Sequence, residues 1–152
     1  MRNLFGRLNA RSPLDLERIA TAWQVPISAR DKSGQVGQLY RALTDPRTVR
    51  DAWATLSDDA RALIATLVAA GEAIPLDTLA GQLDHDAKAV REQATALYRA
   101  GWIARERDDD ELRIGEAPRL FVPRELAHLV SRVEDEISTG DLSSTPLGTL
   151  LA

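Results

Sequence analysis

Cysteine is absent from this chain, which excludes both a disulfide framework and a thiolate metal site. Lysine is nearly absent: of nineteen basic residues only Lys32 and Lys88 are lysines, and neither follows a glycine-rich phosphate loop. The two histidines, His85 and His128, lie far apart and lack metal-ligand spacing. No run of about 18 apolar residues occurs, so no membrane span is expected. The opening residues, Met1 to Arg7, lack the apolar core of a secretory signal. Together these absences predict a cytoplasmic, non-catalytic chain with no metal and no cofactor.

What is present suits a globular protein. The hydrophobic share of 44% can supply a core, and 152 residues fit one domain or two small ones sharing a core. Charge is unevenly placed. Residues 1–50 carry nine basic against four acidic residues, whereas residues 51–152 carry ten against nineteen. A phosphate backbone is drawn to the first third and repelled by the rest.

The first third reads as helical. Leu4, Phe5 and Leu8 share one face of a short helix over residues 2–10. Ser12-Pro13 starts a second helix, with Leu14, Leu16, Ile19, Ala20 and Trp23 apolar. Val25-Pro26-Ile27-Ser28 must be extended, because the residue before proline disfavours the helical region. A third helix runs from about Ser33 to Leu43 on Val36, Leu39, Tyr40 and Leu43, and Asp45-Pro46 starts a fourth carrying Val49 and Trp53. Trp23 and Trp53 stand at the apolar phase of their helices and are expected in the core. Leu16, Ile19, Trp23, Val25 to Ser28, Lys32, Val36 and Leu39 together resemble the SAP motif, a small DNA-binding helical hairpin. Ala29 and Gln35 depart from that motif, and the Arg30-Asp31-Lys32 linker is long for it. The resemblance implies that Arg30, Lys32 and Arg41 face phosphates near a helix N-terminus.

Ser57 to Pro123 has the order helix, helix, helix, hairpin. Ser57-Asp58-Asp59 caps a helix on Ala60, Leu63, Ile64, Leu67 and Val68 that stops at Gly71. Ala73 to Pro75 gives a short strand, and Leu76, Leu79, Ala80 and Leu83 mark the next helix. Asp86 caps a third with Val90, Ala94, Leu97 and Tyr98 inward, and His85 before it is expected to be partly buried. Trp102–Arg107 and Leu112–Ile114 alternate as two half-buried strands around a turn at Asp108-Asp109-Asp110. A helix started by Pro123 carries Leu126, Leu129, Val130, Val133 and Ile137, before a polar tail. The expected fold is mainly α: a basic helical unit (1–50), a winged helix (51–123) and a C-terminal helix with tail (124–152).

In DNA-binding winged helices the third helix enters the major groove. Its outward residues here are Ala87, Lys88, Arg91, Glu92 and Gln93. Lys88 and Arg91 suit phosphate or guanine contacts. Asp84, Asp86 and Glu92 crowd the same surface, and the Asp108–Glu111 tip opposes phosphate contact by the wing.

Leu97-Tyr98-Arg99-Ala100-Gly101-Trp102-Ile103, followed after the hairpin by Leu120-Phe121-Val122-Pro123-Arg124-Glu125-Leu126-Ala127, is similar to the helicase-associated region of XPB-like helicase proteins. That region accompanies an ATPase motor and does not contain one. The resemblance implies an accessory module: the basic N-terminal part holds double-stranded DNA without sequence preference, and the acidic winged helix docks a helicase or other protein. Two alternatives stay open, a protein-interaction winged helix and a winged-helix transcriptional regulator.

Overall fold

The computed structural model describes residues 3–106 and 118–135. Among these the fold is mainly helical, with one small antiparallel sheet. The helices are α1 (Leu4–Asn9), α2 (Pro13–Trp23), α3 (Lys32–Leu43), α4 (Pro46–Ala54), α5 (Asp58–Ala70), α6 (Leu76–Leu83), α7 (Ala87–Arg99) and α8 (124–135). The strands are β1 (Ile74–Pro75), β2 (Ala104–Arg105) and β3 (Arg119–Phe121), in sheet order β1-β3-β2. No helix among the described residues is long and apolar enough to cross a membrane.

Local chemistry accounts for most boundaries. The hydroxyls of Ser12 and Ser57 accept the Asp15 and Ala60 N–H groups, and the Asp45 carboxylate accepts that of Arg47. Gly71 ends α5 in the left-handed region, at φ 68°. After α2 residues 25–30 form no helix or strand, and there the Ser28 and Ala29 N–H groups donate to the Gln38 side chain at 3.1 Å each. Gln38 thereby ties the linker to α3.

One hydrophobic cluster runs from Leu4 to Val133 and joins every helix. At its centre Trp102 stacks on Trp23 at 4.3 Å between centroids and meets Trp53 edge-on at 5.8 Å. The expected core roles of Trp23 and Trp53 hold, at 5% and 4% exposure.

Several expectations need correction. Phe5 is 47% exposed, its ring lying edge-on to Tyr40 at 5.6 Å, because Leu4 and Leu8 alone fill the buried side of α1. Leu14 is 55% exposed: two residues before Leu16, it stands on the opposite side of α2. Asp86 occupies the cap position of α7, but its side chain makes no cap bond. Trp102, Ile103 and Ala104 do not alternate; all three are buried, since Trp102 and Ile103 precede the strand and pack into the core. His85 is exposed, with Nε2 4.0 Å from Asp59 Oδ1, because left-handed Asp84 turns the chain outward before it. The partner of β2 is β3, paired Ala104 to Phe121, an unanticipated strand that runs from Arg119 into the apolar run before Pro123. The expected strand at Leu112–Ile114, the Asp108–Glu111 tip, Ile137 and the tail lie outside the described residues.

Gly101 has φ 85°, and a Cβ there would stand 2.9 Å from Ile19 Cγ2. At Gly71 the backbone is equally left-handed, but the space is open. Gly71→Ala should therefore cost about 1 kcal/mol from backbone strain alone, and Gly101→Ala about 2–4 kcal/mol from strain plus overpacking. Urea denaturation of both variants checks this; equal losses would show that the Ile19 contact is unimportant.

Candidate nucleic-acid interface

The buried face of α7 is Val90, Ala94 and Leu97. The opposite face follows from helical spacing: Lys88, Arg91, Thr95 and Arg99 recur at steps of three and four and form one stripe. Lys88, Arg91 and Arg99 are exposed, and none of their side chains makes a hydrogen bond or ion pair among the described residues. Glu92 is the acidic residue within this face, and Gln93 is half-buried beside it. Asp84 and Asp86 flank the N-terminal end, both exposed. Arg99 completes the stripe. Its sequence signal was its place eight residues after Arg91, masked by its position in the last turn.

The other end of α7 is held rather than presented. The last carbonyls of any helix lack intrahelical partners. Here Arg11 Nη1 donates to Tyr98 O at 2.9 Å and Trp23 Nε1 to Ala100 O at 2.7 Å. Arg11 Nη2 continues to Ile103 O at 3.1 Å, and Arg7 Nη1 donates to Arg105 O at 2.8 Å. The Tyr98 ring carries Arg11 at 3.8 Å and Arg105 at 4.3 Å from its centroid. Arg11 is only 6% exposed. Burial, the largest influence, lowers its pKa; Tyr98 and Asp15 oppose that effect, and Arg105 and Arg7 add to it. An arginine nevertheless stays charged in a protein, so a full cation is fixed at the negative end of the α7 dipole.

The predicted N-terminal site is distributed differently from the expectation. Arg30, Lys32 and Arg41 are all exposed. Arg41, however, lies in the last turn of α3 and donates Nε to Gly37 O, roughly 14 Å along the axis from Lys32. It cannot join an anion site at that helix's N-terminus. The basic excess of residues 1–50 is also partly internal, since Arg7 and Arg11 serve backbone carbonyls, and Arg18 lies 3.7 Å from Asp15. Among the described residues, Lys32 lies on α3 and Lys88 and Arg91 on α7, two separate elements. No cluster of histidine and carboxylate there could hold a metal ion, and His128 is exposed.

No family model and no curated protein matches the chain. Among solved structures, a crystal structure of NadR in complex with 4-hydroxyphenylacetate is similar in shape. The identity is 18%, the TM-score 0.47, and the match covers 84% of this chain and 87% of that one.

Trp23→Phe keeps the ring stack but leaves the part-buried Ala100 carbonyl without its indole donor. Thermal or urea unfolding should show a loss of about 1–3 kcal/mol, and an unchanged midpoint would mean that another donor replaces the indole.

Proposed function

We propose that residues 57–123 form a winged helix that holds double-stranded DNA, with the outer face of α7 laid against the duplex as in DNA-binding regulators. The reading is carried by the exposed stripe of Lys88, Arg91 and Arg99, unpaired among the described residues. Its support in the fold is the element order α5, β1, α6, α7, β2, β3 and the sheet order β1-β3-β2. That order sets two helices and a turn ahead of a hairpin, the arrangement in which the second of the two helices reads a groove.

This places the main contact on α7 rather than on residues 1–50. Arginines suit phosphate oxygens, and Lys88 and Arg91, in the first half of α7, also suit the guanine edge. Glu92 and the flanking aspartates keep the affinity modest, and the phosphate contacts of the basic residues make it dependent on salt. The helicase-accessory function implied by the resemblance divides the roles differently: there the basic N-terminal part contacts duplex without sequence preference, and the winged helix docks a helicase or other protein. The Pro123–Leu126 run has an internal use here: Glu125 accepts the Leu4 N–H and Leu126 is fully buried.

Fluorescence anisotropy with a short random-sequence duplex tests the proposal. Lys88→Glu with Arg91→Glu should weaken binding on the order of tenfold or more and reduce the slope of log affinity against log salt by about 2. Both residues are exposed, so the folding midpoint should stay within about 0.5 kcal/mol of the parent. Arg30→Glu with Lys32→Glu should matter less. Loss at the Arg30 and Lys32 pair with none at α7 would overturn the proposal, as would a parent chain that does not bind duplex.

A further inference from the structure

We infer that Arg11 is a positioning residue: through it the N-terminal helices set the angle between α7 and the hairpin that follows. What the positioned helix does rests on the proposed function; the positioning itself does not. The joint in question is residues 98–105, where α7 ends, Gly101 reverses the chain and β2 begins. One guanidinium spans it, bonding Tyr98 O on the helix side and Ile103 O on the strand side. Because the two acceptors lie on either side of the turn, a rotation of α7 against β2 breaks at least one bond.

Three further contacts grip the same joint from the N-terminal helices. Trp23 holds Ala100 O, Arg7 holds Arg105 O, and Ile19 fills the space left by the missing Gly101 side chain. The Tyr98 ring is clamped between Arg11 and the β2 residue Arg105, fastening helix to strand a second time. The other end of this strap is anchored as well: the Leu4 N–H, at the start of α1, donates to both oxygens of Glu125 on α8, at 3.3 and 3.2 Å. The strap therefore runs from α8, along α1, to the end of the presented helix.

A cation is an inefficient way to add stability here. Desolvating a guanidinium costs several kcal/mol, and an apolar side chain of similar volume often stabilises as well or better. What an apolar side chain lacks is direction. The fork geometry of arginine fixes two carbonyls at a set separation, which is a constraint on orientation. Arg11 does not itself reach DNA, since it is buried.

The test uses full-length Arg11→Lys, which keeps the charge but not the fork, with Val49→Ala on α4 as a core control of reduced stability. Duplex affinity is measured well below each unfolding midpoint. Hydrogen exchange is followed at the amides of Ala100, Gly101 and Trp102, which bond to Ala96 O, Tyr98 O and Leu97 O. Arg11→Lys should weaken duplex binding on the order of fivefold and speed exchange at the joint about tenfold beyond any global change. Val49→Ala should do neither. Arg7→Met, which frees only Arg105 O, is the milder variant should Arg11→Lys not fold; it should loosen the joint in the same sense by less. Exchange that rises equally across the chain, or a loosened joint with unaltered affinity in a chain that binds duplex, overturns the inference. If the parent does not bind duplex, the proposed function fails, and the exchange pattern alone decides: loosening confined to the joint supports the positioning role.

Discussion

A guanidinium with 6% exposure, shared between the end of one helix and the start of one strand, is the constraint from which the rest of this structure follows. Arg11 enters a region that offers carbonyl oxygens, an aromatic face and the negative end of a helix dipole. Each compensates part of the desolvation cost of the charge. The arrangement works only if α7 ends where it does and the chain turns at once. Gly101 permits that turn, and Trp102 is carried by it into the space between Trp23 and Trp53. Removing the cation would take a donor from the buried Ile103 carbonyl, a penalty larger than the net worth of the bond itself, while Tyr98 O keeps the Gly101 N–H.

From this joint the fold builds in two directions. Inward, the tryptophans contributed by α2, by α4 and by the segment after α7 bind the first and second halves of the chain into one hydrophobic cluster. Outward, α7, which buries Val90, Ala94 and Leu97, leaves Lys88, Arg91 and Arg99 exposed among the described residues. The same inward use of Arg7 and Arg11 that fixes α7 removes two cations from the surface of residues 1–50. This is why the charge count of the first third overstates its attraction for phosphate, and why the weight of the proposal falls on Lys88, Arg91 and Arg99.

The helices were legible in the sequence because their signals are local. Ser12-Pro13, Asp45-Pro46 and Ser57-Asp58-Asp59 state where α2, α4 and α5 begin, and Gly71 where α5 ends. Apolar spacing placed Trp23, Trp53 and the faces of α5 and α7. The outward phase of Lys88 and Arg91 followed from the same spacing. What failed was non-local. An arginine reads as surface charge until the carbonyls it meets, 87 and 92 residues away, are known. Strand β3 is three residues, Arg119 and the first two of a short apolar run, and only pairing with β1 and β2 distinguishes it from a loop. Phe5 and Leu14 matched helical apolar spacing, but among the described residues both side chains stay about half exposed. Arg41 belonged to the right helix at the wrong end.

The central claim is that a free face of α7, held from behind by the N-terminal helices, meets the duplex. The most direct measurement is a titration of isotopically labelled full-length protein with a short duplex, following backbone and side-chain resonances by NMR. The account predicts the largest shifts at Lys88, Arg91, Thr95 and Arg99, with Arg30, Lys32 and Arg41 little changed. Shifts concentrated at Arg30 and Lys32 with α7 silent, or none at saturating duplex, would contradict it.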